Sequence, residues 1–212
     1  MENKIRGKFI AVEGGDGSGK GTVIDFLKQE LKGENVGFTR EPGGTELGDK
    51  IRELLQAQGE DEMCVMAELL LFNASRAEHI AKVIKPALLS GRHKISDRFS
   101  LSTLAYQVYG RQRHDYVDVF SKIDQIVVDV NPDLYIFLDV DPELARSRVM
   151  KADREKLSRF DVKPLEFYKM VHMGYVTNLR RYNNKIVDVG DKSPLEVSRE
   201  VLKIVKEFLE IK

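Results

Sequence analysis

Tryptophan is absent from this 212-residue sequence, and cysteine occurs once, at Cys64. A single cysteine excludes an intramolecular disulfide and favours a reducing compartment. The first eight residues are mostly polar and offer no hydrophobic stretch of a signal peptide. No apolar run approaches the ~20 residues that a membrane-spanning helix requires. We therefore expect a cytoplasmic protein that does not insert into a membrane.

Charge of one sign is not in excess either, because 34 lysines and arginines balance 34 aspartates and glutamates. A net charge of zero argues against a general nucleic-acid-binding surface. Hydrophobic residues make up 42% of the chain, which is enough for a sizeable core. Internal repeats and linkers rich in proline, glycine or serine are also missing, so residues 1–212 are predicted to form one domain.

Strand-like and helix-like segments alternate along the chain. Five strands are predicted at 8–13, 35–39, 93–97, 133–139 and 185–189, and the segments between them follow a 3.6-residue apolar periodicity. Ser193 to Glu196 has the pattern of a capping box, and Asp141 precedes Pro142 at a second helix start. This alternation predicts an α/β fold with a parallel sheet covered on both faces.

The most specific motif is a glycine-rich loop that follows the first strand. It reads Gly14-Gly15-Asp16-Gly17-Ser18-Gly19-Lys20-Gly21-Thr22, and a helical pattern begins directly after it. In this context, backbone N–H groups and the helix N-terminus can bind phosphates, while Lys20 reaches the β- and γ-phosphates. An ordinary glycine-rich turn is the less favoured alternative. The motif predicts binding of a nucleoside triphosphate.

One position departs from the usual phosphate-binding motif. Gly21 stands where a Ser or Thr hydroxyl normally reaches Mg²⁺, and the hydroxyl comes one residue later at Thr22. This ending resembles that of adenylate kinases. The metal is then expected to be held through water and a carboxylate elsewhere, and Asp97 at the end of the third strand is suitably placed. Its neighbour Arg98 is suited to grip a second phosphate, although an Asp-Arg pair is also a common surface ion pair.

Three further groups of residues are compatible with a pocket for a second ligand. The loop Arg40-Glu41-Pro42-Gly43-Gly44-Thr45 follows the second strand, at the sheet edge where α/β proteins bind ligands, although a plain turn explains the same residues equally well. Phe72 and Arg76 share one helix face and could hold a planar base by stacking and hydrogen bonding. A core phenylalanine beside an arginine that extends to the surface explains the same pattern. Three more residues lie within one turn and could line a polar pocket: Thr103, Tyr106 and Gln107.

A strongly basic stretch runs from Arg146 to Arg159 and contains six lysines and arginines. A solvated charged face is the simpler interpretation. In a protein that handles triphosphates, the same stretch could form a lid at about residues 146–160. Such a lid would exclude water and bring arginines onto the transferring phosphate.

Taken together, six segments resemble bacterial-type thymidylate kinases, the enzymes that phosphorylate dTMP. The match runs through Glu13–Lys20, Thr39–Thr45, Leu71–Arg76, Asp97–Phe99, Ser102–Gln107 and Asp133–Val140, so it covers nearly the whole chain. The resemblance implies a three-layer P-loop NTPase fold, with a five-stranded parallel sheet in the order 2-3-1-4-5, flanking helices and a small lid. It also implies phosphoryl transfer from Mg·ATP to dTMP, which gives dTDP and ADP.

The resemblance also implies a role for each residue of the acceptor site. Asp16 contacts the 3′-hydroxyl of the deoxyribose, Arg98 binds the dTMP phosphate, and Asp97 organises Mg²⁺. Phe72 stacks on thymine, and Arg76 donates to a thymine carbonyl. The other implied substrate contacts are Tyr106 at the 2′ side of the sugar, Thr103 and Gln107 near the base, and Arg40 and Glu41 near the acceptor phosphate.

The glycine loop contains no arginine, so the resemblance implies that a catalytic arginine comes from the lid. Arg154 is the first candidate and Arg148 the second. Phe99 stands where many relatives have tyrosine. A homodimer is also implied, through helices that include residues 62–86.

Three other functions are compatible with parts of the pattern. Gly21 and Thr22 suggest a kinase for another nucleoside monophosphate. A P-loop ATPase that works as a switch or motor would need no acceptor site, and a non-catalytic nucleotide-binding subunit would have no use for Lys20 or Arg98. The joint presence of a donor loop, an acceptor arginine and a base pocket favours thymidylate phosphorylation.

Overall fold

The computed structural model describes residues 6–57, 63–151 and 163–211. Five strands in these ranges form one sheet in the order β2-β3-β1-β4-β5, and all neighbours are parallel. The strands are β1 (Phe9–Glu13), β2 (Val36–Arg40), β3 (His93–Asp97), β4 (Leu134–Asp139) and β5 (Asn184–Asp188). The predicted sheet and its strand order are confirmed, and each strand boundary lies within one residue of its predicted position.

Helices cover the sheet because parallel strands need crossover connections, and these place helices on the faces. The α-helices are α1 (Lys20–Glu30), α2 (Glu46–Gln56), α3 (Val65–His79), α4 (Lys85–Leu89), α5 (Ser100–Thr103), α6 (Val117–Val127), α7 (Pro142–Met150), α8 (Leu165–Leu179) and α9 (Pro194–Leu209). All five residues of β1 are buried, as expected for the central strand of a covered sheet. Within the described ranges, no helix is both long and apolar enough to cross a membrane.

Both predicted helix starts are confirmed. The Ser193 hydroxyl accepts from the N–H of Glu196, and the Glu196 carboxylate accepts from the N–H of Ser193, which completes a capping box at α9. The Asp141 carboxylate accepts from the N–H groups of Glu143 and Leu144 at the start of α7. These side chains satisfy backbone donors that a helix start leaves without partners.

Two π-helical segments were not predicted by the sequence patterns. They span Ile80–Ile84, directly after α3, and Leu104–Gly110, directly after α5. A π-helical turn places an extra residue in the helix and often occurs at functional sites. The second segment packs closely on α8, because a Cβ added to Gly174 would lie 2.9 Å from the Ala105 Cα. Glycine at this position therefore sets the distance between the two elements.

The carboxylate of Glu13, at the end of β1, lies wholly inside the core. The Glu13 side chain is 0% exposed and accepts hydrogen bonds from the Phe99 N–H at 2.8 Å and the Ser102 hydroxyl at 2.5 Å. Burial raises the pKa of Glu13 to about 7, although these two donors and the nearby Arg98 act in the opposite direction. Ionised Glu13 is therefore costly in the folded protein.

We predict that Glu13 gives the stability of the protein a distinct pH dependence. Its pKa is raised on folding from 4.5 to about 7, so its contribution to stability is full below pH 4.5 and is lost as the pH rises through 7. At about 1.4 kcal/mol per pKa unit, the wild type should lose about 2–3 kcal/mol relative to Glu13→Gln between pH 5 and pH 8. Urea unfolding at several pH values measures this difference.

The matched control is Glu143→Gln, which changes a glutamate in the first turn of α7 whose backbone N–H meets the Asp141 cap. Its stability should run parallel to that of the wild type over the same pH range. A constant difference between the wild type and Glu13→Gln from pH 5 to pH 8 would show that Glu13 does not titrate as proposed.

Candidate active site

The glycine loop connects β1 to α1 at the edge where the parallel strands end. Gly14, Gly17 and Gly19 have positive φ values of 155°, 82° and 84°, which other residues adopt only with strain. A Cβ at Gly17 would also lie 2.2 Å from the Ala145 carbonyl oxygen on α7. The loop can therefore follow this path only if these three positions are glycine. The absence of side chains there leaves the backbone accessible to an anion.

Lys20 begins α1, and its ammonium group folds back onto the loop. The Lys20 Nζ donates to the carbonyl oxygens of Gly14 at 2.8 Å and Gly15 at 3.2 Å. Burial lowers the pKa of Lys20 to about 8, and the positive charge of Arg98 acts in the same direction. The ammonium group thus lies in an environment that favours a nearby anion.

Arg98 follows β3 and reaches the same loop. Its backbone has a φ of 70°, which is unusual for a residue with a side chain. The Arg98 Nη1 donates to the Gly14 carbonyl oxygen at 3.0 Å, the oxygen that also accepts from Lys20. The two cationic nitrogens are therefore no more than about 6 Å apart, close enough to bind neighbouring phosphates.

Asp16 and Tyr106 complete the cluster around Arg98. The Asp16 carboxylate accepts from Arg98 Nη2 at 2.6 Å and from the Tyr106 hydroxyl at 2.8 Å. The Tyr106 hydroxyl in turn accepts from the Asp16 N–H at 3.0 Å. Residues predicted to contact one sugar phosphate are thus brought together, although they are 90 positions apart in sequence.

Asp97 lies at the end of β3, beside β1 and β2. Its Oδ1 is buried and has no hydrogen-bond partner in the part of the chain that the structure describes. The Ser18 hydroxyl in the glycine loop is in the same situation. A buried carboxylate oxygen without a partner is costly, and oxygen ligands suit Mg²⁺. The donor set at this edge therefore fits a hard divalent cation.

A second polar cluster surrounds Arg76, one of the residues of the predicted base pocket. Arg76 is 1% exposed, and its guanidinium donates to Glu41 at 2.8 Å, Thr103 at 2.8 Å and Asn73 at 3.2 Å. Phe72, one turn earlier on α3, is half-buried and packs against the core. The prediction that Phe72 and Arg76 share a face with Thr103 nearby is consistent with this arrangement.

Glu41 contacts two buried side chains of α3, whereas its neighbour Arg40 lies near Asp49. Its carboxylate binds Arg76 through one oxygen and His79 through the other, at 2.9 Å. His79 is fully buried and also contacts the Thr39 hydroxyl at 2.6 Å. Arg40, in contrast, is exposed and lies 3.6 Å from Asp49. The sequence patterns did not identify His79, because a single histidine on a helix has no spacing that marks it.

Gln107 lies on the second π-helical segment and is almost fully buried. Its amide nitrogen donates to Glu68 at 3.3 Å. Its amide oxygen has no hydrogen-bond partner among residues 6–57, 63–151 and 163–211. A buried acceptor without a partner is uncommon in folded proteins, and a ligand or water molecule would supply the missing hydrogen bond.

Arg52 was also missed by the sequence patterns. It lies on α2, and its Nη1 donates to the Pro42 carbonyl oxygen at 3.1 Å. Burial lowers the pKa of Arg52, and the charges of Arg40, Asp97 and Arg98 act on it as well. A third arginine therefore contributes to the positive potential at this edge, where no motif marked it.

The structure describes only residues 146–151 of the basic stretch, which form the end of α7 and the residue after it. Arg146 and Arg148, which the sequence analysis assigned to the lid, lie on α7. The Arg148 guanidinium lies 3.5 Å from the Gly17 carbonyl oxygen and 3.4 Å from that of Gly190. Arg154 and most of the predicted lid lie outside the described residues.

An open, shallow cleft adjoins the glycine loop. Its walls come from the loop, the end of β4, the second π-helical segment, α7 and α8, and they include Asp16, Tyr106, Phe167 and Tyr175. The cleft is mostly apolar, with Asp16 at one side. The cleft thus places apolar surface beside Asp16 and Tyr106, the two residues that contact the Arg98 guanidinium.

Comparisons with known proteins agree on one family. The family model described as thymidylate kinase matches residues 12–201. A thymidylate kinase of Clostridium novyi is 35% identical over 207 residues, which cover 96% of this chain and 98% of that protein. A thymidylate kinase of Pelotomaculum thermopropionicum is 40% identical over 216 residues, which cover 97% of this chain and 96% of that protein.

A solved structure gives the same result at the level of the fold. The crystal structure of thymidylate kinase from Ehrlichia chaffeensis superimposes with a TM-score of 0.72 and is 31% identical. The match covers 95% of this chain and 99% of that one. Because sequence and fold agree over almost the full length, the chain belongs to the thymidylate kinase family.

Proposed function

We propose that this protein transfers the γ-phosphoryl group of Mg·ATP to dTMP, giving dTDP and ADP. The observation that carries the proposal is the shared carbonyl oxygen of Gly14, which accepts from both Lys20 and Arg98. One cation serves the donor nucleotide and the other serves the acceptor phosphate. Residues 1–212 are proposed to act as a single kinase domain in the cytoplasm.

The donor nucleotide binds at the glycine loop and the start of α1. Residues 14–22 supply backbone N–H groups, and Lys20 exchanges its loop carbonyls for phosphate oxygens. Asp97 is the proposed Mg²⁺ residue, acting directly or through water, since one of its oxygens is buried without a partner in the described chain. Thr22 is exposed and Gly21 has no hydroxyl, so neither replaces Asp97. Bound Mg²⁺ would neutralise charge on the phosphates.

The acceptor nucleotide is held between Arg98 and Asp16. Arg98 binds the dTMP phosphate and turns one of its oxygens toward the γ-phosphate, and Asp16 accepts from the 3′-hydroxyl of the sugar. Tyr106 bonds Asp16 and covers the 2′ side, where a ribose hydroxyl would clash. A phosphate oxygen is already nucleophilic, so the chain needs to align the reactants and neutralise charge rather than remove a proton.

The thymine base is proposed to lie on α3 and the second π-helical segment. Phe72 stacks on the ring, and Arg76 donates to a carbonyl from a position fixed by Glu41 and Thr103. The amide oxygen of Gln107, which has no hydrogen-bond partner among the described residues, is a suitable acceptor for the single ring N–H of thymine. Arg40 lies in the loop beside the acceptor phosphate.

A lid arginine is proposed to stabilise the charge on the transferring phosphate. Arg154 remains the first candidate by resemblance. Arg148 is the second candidate, and its support is the position of its guanidinium beside the Gly17 carbonyl of the phosphate loop.

We predict that the purified protein, with Mg·ATP, phosphorylates dTMP in preference to other monophosphates. A panel of dTMP, dUMP, dCMP, AMP and UMP should give the highest kcat/KM for dTMP, since the pocket offers one donor arginine and one acceptor amide for thymine. Coupled ADP release measures each rate. Phosphorylation of AMP or UMP without phosphorylation of dTMP would overturn the proposed substrate.

A pair of substitutions separates the two phosphate sites. Arg98→Ala should weaken transition-state stabilisation by ~2–5 kcal/mol, mainly through a higher KM for dTMP, because the acceptor phosphate loses its cation and Asp16 keeps only the Tyr106 hydroxyl as a side-chain donor. Lys20→Ala should lower the rate by a comparable or larger factor and weaken ATP binding. Steady-state kinetics with each substrate varied in turn measures both effects. An unchanged KM for dTMP in Arg98→Ala would remove its assigned role.

We also propose a homodimer that forms through α3. This helix exposes Leu70 by 50%, and the adjacent α2 exposes Leu47 and Leu54 by 51% and 60%. Apolar side chains on two adjacent helices form a surface that a second copy of the chain could cover.

Leu70→Arg is therefore predicted to convert the dimer to a monomer. A buried charge at the centre of such an interface would be costly, so light scattering after size exclusion should change from twice the mass of one chain to one chain mass. Leu195→Arg, on α9, is the control, since Leu195 is similarly exposed at 47% but lies on another helix. A wild-type monomer, or a dimer that tolerates Leu70→Arg, would contradict this interface.

A further inference from the structure

Arg98 is held on its buried side by two hydroxyl groups as well as by the Gly14 carbonyl. Its Nη1 donates to Tyr175 at 3.1 Å and to Ser102 at 3.2 Å. Its Nη2 faces the opposite way, toward Asp16 and Tyr106 at the cleft. The buried contacts therefore determine which nitrogen of the guanidinium faces a ligand.

The Tyr175 and Ser102 oxygens can accept from Arg98 because their own protons are directed elsewhere. Ser102 donates to the Glu13 carboxylate at 2.5 Å. The Tyr175 hydroxyl lies 2.7 Å from Ser102, 3.3 Å from Glu13 and 3.4 Å from the Gly14 carbonyl oxygen, all of which can accept its proton. Since an arginine only donates, each hydroxyl presents a lone pair to it.

Tyr175 is well placed to hold this arrangement. It is 0% exposed, lies on α8, and packs its ring against Phe137 with 5.1 Å between centroids. Burial raises the pKa of Tyr175, so its hydroxyl stays protonated at neutral pH. Gly174 allows α8 to approach the second π-helical segment closely, which brings Tyr175 to Arg98.

We propose that Tyr175 is a positioning residue for the acceptor phosphate. Its hydroxyl holds the Arg98 guanidinium from the buried side in the orientation that binds the phosphate. This inference rests on the proposed function, because it assigns the Arg98 guanidinium to the phosphate of dTMP. The Tyr175 hydroxyl is the group that acts, with Ser102 and Glu13 setting the direction of its proton. The aromatic ring supplies packing and is separate from this role.

The test compares Tyr175→Phe with Tyr135→Phe. Both variants delete one hydroxyl from a fully buried tyrosine, and the Tyr135 hydroxyl makes no hydrogen bond to Arg98, Ser102 or Glu13 in the described chain. Tyr175→Phe should lower kcat/KM for dTMP by ~tenfold, the usual effect of losing a hydrogen bond to a charged group, with KM for ATP within twofold. Tyr135→Phe should leave both parameters unchanged.

A double-mutant cycle separates positioning from a general structural role. If Tyr175 acts through Arg98, then Tyr175→Phe should change kcat/KM for dTMP less than twofold in an Arg98→Ala background. Dissociation constants for dTMP, measured by calorimetry, should show the same non-additivity. A similar loss in both backgrounds, or a loss shared equally by ATP and dTMP, would overturn the proposal.

Phosphorylation of dTMP by the wild type shows whether the proposed function or only the role of Tyr175 has failed. A wild-type protein that does not phosphorylate dTMP refutes the function itself. A wild-type protein that phosphorylates dTMP, with Tyr175→Phe equal to it in thermal stability and in both kinetic parameters, refutes only the role of Tyr175.

Discussion

One carbonyl oxygen, that of Gly14, accepts hydrogen bonds from two cations, and much of the surrounding structure follows from this contact. Two positive charges held so close in a poorly solvated site repel each other, so they need nearby negative charge. Asp16 and Asp97 supply it around Lys20 and Arg98, and Glu13 adds to it in its ionised form. The lowered pKa of Lys20 shows that burial and repulsion by Arg98 outweigh these carboxylates. An incoming phosphate would relieve that imbalance, and this makes the site selective for anions before any specific contact is made.

In the proposed function, the cluster around Arg98 binds the charged part of the acceptor nucleotide and the cluster around Arg76 binds its planar base. The first surrounds Arg98 and lies partly open to the cleft, whereas the second, around Arg76, is almost completely buried. In the second cluster Glu41 neutralises Arg76 and also binds His79, so the arginine keeps one orientation. A fixed donor loses little conformational entropy on binding, so the preorganised Arg76 would favour affinity as well as one defined orientation of a bound base.

The sequence predicted the strands and the glycine loop well, because their signals are local: apolar runs, turn glycines and a lysine at a set spacing. It also indicated Asp97, Arg98 and Phe72, whose positions follow from strand ends and helix periodicity. It did not reveal Glu13, Arg52 or Tyr175 as parts of the site. Tyr175 meets Glu13 across 162 positions, and a contact over that distance has no local pattern. The second π-helical segment was missed for a related reason, since its close approach to α8 at Gly174 joins residues far apart in sequence and has no local pattern.

The narrow gap between Gly17 and α7 has a mechanical consequence. The Ala145 carbonyl lies where a side chain at Gly17 would have to be, so the phosphate loop and α7 touch backbone to backbone. Main-chain atoms cannot yield as side chains do, and a displacement of one element must therefore be transmitted to the other. A reporter group on the outer face of α7 would then sense events at the loop without touching the nucleotide, and so provide an optical signal for donor exchange.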